Sequence, residues 1–387
     1  MNWEKFISDR FYQSSNFQGK YLGVLSMIGM GVGCFAMLVS ISVMNGFETL
    51  VHQKLKGVEG DIRILGATNE KDLSVIKGVK DIMPFMERKG IIEGNDFKRV
   101  ALIKAIDETK MANFYDINIQ GNIPQLGQIV IGKDLAYRLG KDVGDILYIY
   151  SPIDQAVGLS LPFKNKLEIS GIFSTKILDY DERLVFITLK DGQNTFKRKF
   201  EFDGYDIRTE NENGDIVKAE LENKLGSEHF IFTWDDLNKS LVNAMKMERL
   251  GTMVVLCLIF LVAAFNLAAN LTLISIQKMK EVGVIRAMGA PINSIYKIII
   301  LLGLKRAGIG LLFGFLTGIV LILIQNHFNL IPLPSNVYFI DSLPMVIYMS
   351  DILIILAVSI LFILIASLSS GRKLITVNIN ESIQWVK

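Results

Sequence analysis

The stretch Gln277-Lys-Met-Lys-Glu-Val-Gly-Val-Ile-Arg-Ala-Met-Gly-Ala-Pro291 is a charged, small-residue segment between two long apolar runs. Residues Leu250 to Gln277 carry no charge, and the chain becomes apolar again from Ile298. Both runs exceed the roughly 20 residues that a helix needs to cross the hydrocarbon core of a bilayer. The charged segment must therefore lie at a membrane surface, where a short structured insert suits a contact point for another protein.

The composition is that of a membrane protein with a large polar block. Half of the 387 residues are hydrophobic and the mean hydropathy is +0.37. The net charge is only +2, so no global field points to nucleic acid. The stretches without charge, each of which could hold a spanning helix, are Tyr21–Phe47, Leu250–Gln277, Ala307–Ile340 and Ile352–Gly371.

These runs predict four transmembrane helices plus a large α+β domain inserted between helices 1 and 2. Pro332 and Pro334 indicate that the third helix ends near Asn326, and Lys305 and Arg306 near its start are expected to snorkel to the near surface. The expected segments are an amphipathic segment 1–20, helix 1 at 21–47, the inserted domain 48–239, helix 2 with its extension at 240–277, the charged segment 278–297, helix 3 at 298–326, a loop 327–350, helix 4 at 351–371 and a tail 372–387.

Lysine and arginine in the short flanks predict the orientation. They occur before the first run, in the 277–297 segment and in the tail, whereas Asn326 to Asp351 has none. By the positive-inside rule both termini and the charged segment are cytoplasmic and the large block is outside. The first run is long and lacks a small-residue cleavage site, so we interpret it as an uncleaved anchor. The two cysteines fall within spans, so the outer block has no disulfide.

The outer block has local patterns of both strands and helices. Strands are predicted at Asp61–Leu65, Arg99–Ile106, Ile146–Tyr150, Lys166–Phe173 and Leu184–Thr188, and a helix at Lys133–Leu139. Residues Thr233 to Arg249 predict a helix that runs into the second span, with Thr233 and Asp236 as its N-terminal capping pair. Such a helix would transmit motion as a rod, although it is also explained as simply a long helix.

Two features allow both a functional and a structural interpretation. Residues 2–17 have aromatic and apolar residues at helical spacing, which suits the headgroup region or an irregular terminus. The small residues of the first span, Gly23, Gly29, Gly31 and Gly33, suit either packing within the chain or a dimer contact.

The chain lacks the motifs of several chemistries. There is no GxxxxGK[ST] loop for phosphate, no Cys/His spacing for zinc and no GxSxG elbow. The cluster Asp179, Asp181 and Glu182 is explained by a solvated turn, and the spans lack the buried carboxylates expected of a proton-driven carrier. The sequence therefore predicts a non-catalytic subunit whose work is driven from outside.

Several motifs, in order along the chain, resemble the permease subunits of lipoprotein-releasing (Lol, LolC/LolE-type) ABC transporters, within the MacB/FtsX-like permease family. They are Val43-Met-Asn-Gly-Phe-Glu48, Met245-Lys-Met-Glu-Arg249 with Leu261-Val-Ala-Ala-Phe-Asn266, Glu281-Val-Gly-Val-Ile-Arg-Ala-Met-Gly-Ala290, and Val337-Tyr-Phe-Ile-Asp-Ser-Leu-Pro344. The prolines that this family usually has after the fourth span are missing here, where the chain has Ser369-Ser-Gly-Arg-Lys373.

The resemblance implies a permease in the bacterial inner membrane that extracts acylated lipoproteins from the outer leaflet and passes them to a periplasmic carrier. Its implied partners are an ABC ATPase dimer, a second permease copy or a paralogue, the carrier, the lipoprotein and membrane lipids, with no nucleic acid. ATP and Mg²⁺ would be bound by the ATPase, and no cofactor or metal by this chain.

The resemblance also implies functional residues. The ATPase-coupling set is Glu281, Val282, Ile285, Arg286, Met288, Gly289 and Ala290, with Val282, Ile285 and Met288 as its apolar face. A carrier-docking loop at 151–165 would use Pro152, Ile153, Val157, Leu159, Leu161, Pro162 and Phe163, which otherwise fold back onto their own domain. Candidates for a lipoprotein cavity are Met44, Phe47, Phe260 and Phe265. The rival functions are an efflux or peptide-export permease of the same fold and an FtsX-like scaffold that activates a cell-wall hydrolase.

Overall fold

The computed structural model describes residues 3–13, 17–66, 70–94, 97–151, 164–196, 201–210, 214–226, 229–333 and 342–375. The helices in these ranges are α1 (Trp3–Gln13), α2 (Phe17–Glu59), α3 (Glu70–Ser74), α4 (Met111–Phe114), α5 (Lys133–Leu139), α6 (Leu178–Arg183), α7 (Leu189–Phe196), α8 (Gly214–Leu225), α9 (Trp234–Leu237), α10 (Lys239–Gln277), α11 (Met279–Ala287), α12 (Ile292–Phe328) and α13 (Met349–Ile375). The strands are β1 (Ile62–Leu65), β2 (Val79–Glu93), β3 (Lys98–Ile106), β4 (Asn118–Gly121), β5 (Gln128–Gly132), β6 (Ile146–Tyr150), β7 (Asn165–Ser174), β8 (Leu184–Thr188), β9 (Gly204–Thr209) and β10 (Phe230–Thr233).

Within the described ranges, four helices are long and apolar enough to cross a membrane, namely α2, α10, α12 and α13. Together with α1 and α11 they form a helical unit within residues 1–49, 244–333 and 342–387. Its core contains Met30, Leu38, Phe260, Leu267 and Ile363. The four predicted spans are confirmed.

The helix ends differ from the predicted span ends. Helix α2 continues past residue 47 to Glu59, so its last turns are helical although they contain polar residues. The helix ends before Gly60, whose φ is +95°. Helix α12 begins at Ile292, directly after Pro291, rather than at 298. The first turn of α12 contains polar residues. From composition alone, a helix that extends beyond the apolar core of the membrane cannot be distinguished from a loop at this position.

The second unit, within residues 50–243, is built on a mixed sheet. Its strand order is β10-β1-β9-β2-β3-β8-β5-β7-β4, and β6 pairs with β2 and β7. The pairs β3–β8 and β5–β7 are parallel, whereas the other pairs are antiparallel. Helices cover the sheet, so the predicted α+β class of the inserted domain is confirmed.

The predicted helix from Thr233 into the second span is interrupted. Thr233 and Asp236 form the predicted capping box of α9, in which each side chain accepts from the other residue's backbone N–H. Asn238 then leaves helical geometry, with φ −105° and ψ 31°, and α10 begins at Lys239. The prediction of one unbroken helix from Thr233 is therefore wrong, because Asn238 divides it into α9 and α10.

Candidate functional site

Residues 278–291 form the short helix α11 and a tight turn into the third span. Lys278 leaves helical geometry and so separates α10 from α11. At the other end Gly289 has φ +96°, which glycine adopts without steric cost. The backbone N–H of Ala290 donates to the Ile285 carbonyl at 3.2 Å, so this turn also satisfies the last carbonyl groups of the helix.

One face of α11 packs against its own chain. Met279 and Val282 are 5% and 4% exposed and pack on Ile295, Ile298 and Ile299 of α12. Ile285 lies partly buried at the edge of the same cluster. The prediction that Val282, Ile285 and Met288 form one accessible apolar face is therefore wrong for Val282 and partly wrong for Ile285, because these two side chains pack on the chain's own cluster.

The opposite face of α11 is open. Met288 is 83% exposed and Val284 is 46% exposed. Glu281 and Gly289 are also exposed, whereas Arg286 and Ala290 are half-buried. The Lys278 ammonium lies 3.2 Å from the Glu281 carboxylate. The accessible part of the predicted coupling set is thus Glu281, Met288 and Gly289, with Val284 added by the structure.

The N-terminal helix α1 lies against α11 and α12. Ile7 and Phe11 pack on the cluster that contains Val282, and the Lys278 ammonium lies 5.7 Å from the centre of the Phe11 ring. The Lys305 ammonium donates to Asp9 Oδ1 at 2.7 Å. These contacts make α1 part of the support of α11, a role that its sequence pattern alone did not indicate.

The glycines of the first span pack within the chain. A Cβ on Gly31 would lie 2.8 Å from the Gly310 carbonyl oxygen of α12. A Cβ on Gly314 would collide with the backbone of Gly31, so α2 and α12 touch through their main chains. Gly33 faces Phe260 of α10. The predicted packing within the chain is therefore present, and the alternative of a dimer contact stays a prediction.

Arg306 lies inside the helical unit. It is 4% exposed, its Nη1 donates to Asn270 Oδ1 at 3.4 Å, and its guanidinium lies 5.4 Å from the centre of the Tyr12 ring. The prediction that Arg306 snorkels outward is wrong, because the backbone of Gly23 leaves space for the guanidinium between the helices. Lys305 does point outward, toward Asp9.

The four candidates for a lipoprotein cavity do not meet. Phe260 is fully buried and stacks on Phe362 with 6.2 Å between ring centres. Phe265 is 67% exposed, Phe47 is 38% exposed and Met44 is half-buried. Residues 260 and 265 fall on different sides of α10, so they do not line one cavity within this chain, and the predicted lipoprotein cavity stays a prediction. An apolar groove of about 380 Å³ instead lies along α2 and α12, lined by residues that include Ile28, Gly31, Val32, Phe313 and Gly314.

An extended segment, Ser342–Tyr348, crosses the end of the helical unit that is opposite α11. Non-helical backbone at membrane depth needs hydrogen-bond partners from protein. Gln325 Nε2 donates to the Leu343 carbonyl at 3.1 Å, and Asn326 Nδ2 donates to that of Met345 at 2.8 Å. The N–H of Val346 donates to the Ser42 carbonyl at 3.0 Å. These polar residues of the spans therefore serve the backbone of this segment.

A cluster of Asn45, Glu48, Arg249 and Asp351 connects α2, α10 and α13 at the same end; we call it the outer cluster. Asn45 Nδ2 donates to Asp351 Oδ2 at 2.6 Å, and Arg249 Nη2 donates to Asp351 Oδ1 at 3.2 Å. Arg249 also lies 3.7 Å from Glu48. Asp351 is 1% exposed, which corrects the expectation that the spans hold no buried carboxylate. Two of the quoted motifs contain Asn45 and Arg249, but their pairing with Asp351 is non-local and had no signal in the sequence.

The predicted carrier-docking residues lie outside the described residues. The set Pro152, Ile153, Val157, Leu159, Leu161, Pro162 and Phe163 falls within 152–163, and Tyr338 to Asp341 falls within 334–341. Most of the tail, from 376 onward, is also outside the described ranges. The carrier-docking role therefore stays a prediction.

In the sheet unit, the last turn of α2 is fixed by polar contacts. The Arg208 guanidinium donates to the carbonyls of Lys56 and Gly57 at 2.8 and 2.7 Å, so it caps the C-terminus of the helix. Glu59 accepts from Tyr180 Oη at 2.7 Å and from Asn238 Nδ2 at 3.0 Å. Helix α2 and the α9–α10 connection are thus linked to each other within this unit.

A buried ionic cluster lies among the central strands of the sheet. Asp206, which is fully buried, lies 2.7 Å from the Lys104 ammonium and 2.7 Å from Arg63 Nε. Burial alone would raise the pKa of Asp206, but the Lys104 and Arg63 cations outweigh it and hold that pKa below its ordinary value. Burial also raises the pKa of the adjacent Tyr115 to about 12. The three charged groups Asp206, Lys104 and Arg63 are explained by mutual pairing, so we assign them to the stability of the domain.

One of the carboxylates near Tyr180, that of Asp181, is also structural. Asp181 is 3% exposed and accepts hydrogen bonds from Ser174 Oγ and from Thr175 N and Oγ1. The expectation of a solvated turn is wrong for Asp181. Within the described ranges, no group of three or more His, Cys, Asp or Glu side chains is placed to hold a metal ion.

Two family models match the chain. Residues 24–224 match the MacB-like periplasmic core domain, which is more than half of the chain, and residues 253–379 match the FtsX-like permease C-terminal region. The chain therefore belongs to the family of membrane permeases that combine a MacB-like periplasmic core domain with an FtsX-like C-terminal region. The α+β domain between the first and second spans is the periplasmic domain.

Within that family the similarity is of the LolC/LolE type. The "Lipoprotein-releasing system transmembrane protein LolC" of Xylella fastidiosa is 23% identical over 393 residues, which cover 94% of each chain. The LolC protein of Buchnera aphidicola is 27% identical and covers 91% of this chain and 90% of its own. The "Lipoprotein-releasing system transmembrane protein LolE" of Haemophilus influenzae is 25% identical and covers 95% of this chain and 96% of its own. The family resemblance that the motifs predicted is confirmed.

Proposed function

We propose that this chain is the permease subunit of an ABC transporter that extracts acylated lipoproteins from the outer leaflet of the bacterial inner membrane. The extracted lipoprotein would pass to a periplasmic carrier, driven by ATP hydrolysis on a separate ATPase subunit. The observation that carries the proposal is the similarity to lipoprotein-releasing transmembrane proteins over at least nine-tenths of both chains.

The orientation follows from the charges beside the spans. With the sheet unit in the periplasm, α11 and both termini are cytoplasmic, which agrees with the lysine and arginine residues in those flanks. ATP and Mg²⁺ would then be bound by an ATPase dimer on the side that holds α11. A second permease, either an identical copy or a paralogue, would complete the membrane part.

The ATPase contact that we propose is the exposed face of α11. Met288, at 83% exposed, is an apolar anchor of the kind that fills a pocket on a partner. Glu281 offers a charge beside it. Val282 and Ile285 would not contact the ATPase. They pack α11 against α12, so a force applied at Met288 would be transmitted to the third span.

A pull-down tests this contact. Met288→Ala should reduce recovery of the ATPase subunit with the purified permease several-fold, because truncation of a central anchor typically costs about 2 kcal/mol or more. Met247→Ala is the matched control, since Met247 is another exposed methionine, 69% exposed, on α10. Equal recovery with both variants would contradict the coupling role of α11.

Reconstitution tests the function itself. Proteoliposomes that contain the permease, its ATPase and a triacylated lipoprotein should transfer that lipoprotein to a soluble carrier only when ATP is added. A variant of the cargo without acyl chains is the control, and its transfer to the carrier should not depend on ATP. If ATP hydrolysis responds to drugs or peptides and not to the acylated cargo, the efflux alternative replaces the proposal.

A further inference from the structure

We propose that the open edge of β2 at residues 80–84 is a binding site for an extended, uncharged peptide segment of another protein. Strand β2 pairs with β9 over Val79–Phe85, but it pairs with β3 only over Phe85–Glu93. Within the described ranges, no strand therefore pairs with residues 79–84 on the side away from β9. An open sheet edge can take up an additional strand through main-chain hydrogen bonds.

The main chain of Ile82 points toward this open side. In antiparallel pairing, successive residues direct their N–H and C=O groups alternately toward the partner strand and away from it. The Ile207 carbonyl accepts from the Asp61 N–H, beside β1, at 2.9 Å, so its register partner Ile82 points away from β9. The Lys110 ammonium donates to the Ile82 carbonyl at 3.2 Å, which agrees with this direction.

Two irregularities of β2 fall on the same edge. Lys80 is skipped in the register with β9, between Val79 and Asp81, and the extra residue of such a bulge is left without a partner in the ladder. Pro84 has no N–H to donate, and proline within a sheet is confined to positions that do not need this donor. Both residues are therefore compatible with a stretch of β2 that is paired on one side.

A cleft of about 290 Å³ lies against the open edge. Besides β2 it is lined by polar side chains of α3, of the 3₁₀ turn Glu108–Lys110 and of α4, namely Glu70, Ser74, Thr109, Lys110 and Asn113. Its charged lining residues are two acids, Glu70 and Asp81, and two lysines, Lys80 and Lys110, so the charges balance. Such a cleft offers hydrogen bonds to an uncharged chain and no net attraction to a strongly charged one.

Lys110 closes the edge in this structure. Its ammonium pairs with Glu70 of α3 and also occupies the Ile82 carbonyl. An incoming strand would donate its own N–H to that carbonyl and accept from the Ile82 N–H, so Lys110 must first turn away. The Lys110 and Glu70 side chains are 34% and 44% exposed, so water can solvate both when they separate. Lysines at strand edges block unwanted pairing, and this one is a removable block.

The test uses the full-length chain in nanodiscs and a short synthetic peptide of alternating serine and threonine with blocked ends. Hydrogen exchange of the Ile82 amide is measured at increasing concentrations of the peptide. Strand addition should slow this exchange about tenfold when the peptide is present at about ten times its Kd. The same peptide with N-methylated amides cannot donate to the Ile82 carbonyl and should have no effect.

Lys110→Met should strengthen peptide binding roughly three- to tenfold, because it removes the donor that competes for the Ile82 carbonyl. Lys98→Met is its matched control, since Lys98 is another exposed, ion-paired lysine of this domain that does not line the cleft. Ser74→Trp should fill the cleft and abolish binding. Val75→Trp should not, because Val75 is 75% exposed beside the cleft and does not line it.

Three results would overturn the proposal. The first is exchange of the Ile82 amide that the peptide does not slow, either in the wild type or in Lys110→Met. The second is exchange that is already slow without the peptide in Lys110→Met, since a segment of this chain would then occupy the edge. The third is protection of the outer strands β4 or β10 without protection of Ile82, which would assign peptide addition to those strands instead.

Discussion

Replacement of Asp351 by alanine should loosen the end of the helical unit that is opposite α11. Asp351 is 1% exposed and accepts from Asn45 at 2.6 Å. A hydrogen bond to a charged group is worth about 1.5–3 kcal/mol. Its loss leaves the buried Asn45 amide without the acceptor of its shortest hydrogen bond. Arg249 also loses a contact, but its side chain is 35% exposed and it keeps Glu48 at 3.7 Å, so this part costs at most about 1 kcal/mol.

The summed cost of about 2–4 kcal/mol can be read by hydrogen exchange of the full chain in nanodiscs. If local opening controls exchange, the amides of 342–351 should exchange about 30-fold to 1,000-fold faster in Asp351→Ala than in the wild type. Asp351→Asn keeps an acceptor for Asn45 and should show a smaller effect, and Glu48→Gln should show almost none. Exchange in Asp351→Ala within about threefold of the wild type would refute the reasoning.

Three further outcomes are expected. Asp206→Leu should destabilise the sheet unit by about 3–5 kcal/mol, because it leaves the buried Lys104 without the carboxylate at 2.7 Å, and urea unfolding followed by circular dichroism measures this. Although burial opposes it, the Lys104 ammonium lowers the pKa of Asp206, so the stability that this carboxylate contributes should be present above about pH 4 and be lost as the pH falls further, through its lower pKa in the folded state. That loss should be absent from the acid unfolding curve of Asp206→Leu. Gly314→Leu should prevent the contact of α2 with α12 and lower the yield of folded protein in detergent, whereas Gly308→Leu, where a Cβ meets nothing within 4 Å, should not.

Properties that depend on local pattern could be predicted from the sequence. The four spans follow from runs of apolar residues, and the capping box of Thr233 and Asp236 follows from their spacing. The strands at 146–150 and 184–188 and the helix at 133–139 have the predicted bounds. In each case the signal lies within one element, so no knowledge of its neighbours was needed.

Properties that depend on packing could not be predicted in this way. The apolar residues of α11 recur at a clear period. The period does not show whether this apolar face packs on α12 of the same chain or on a partner protein. Val282 is buried for the first reason, whereas Met288, the C-cap residue of α11, is 83% exposed. Arg306 is a further example, since a charge in a span can snorkel outward or enter a space that only Gly23 of another helix leaves open.

The long strand β2, from Val79 to Glu93, was missed for a related reason. Its centre is buried on both sides, so it lacks a simple alternation of polar and apolar residues, and Pro84 and Gly90 interrupt the pattern. Gly90 is needed because the Ile103 side chain and the Tyr150 carbonyl approach its backbone from the neighbouring strands. Such close approaches become visible only once the strand order is known.

The most direct test of the proposed function is depletion of this chain in the cells that contain it, followed by separation of the membranes and quantification of acylated lipoproteins in each. We predict that lipoproteins destined for the outer membrane accumulate in the inner membrane. Normal lipoprotein sorting, together with altered drug efflux or altered cell-wall hydrolysis, would contradict the proposed function.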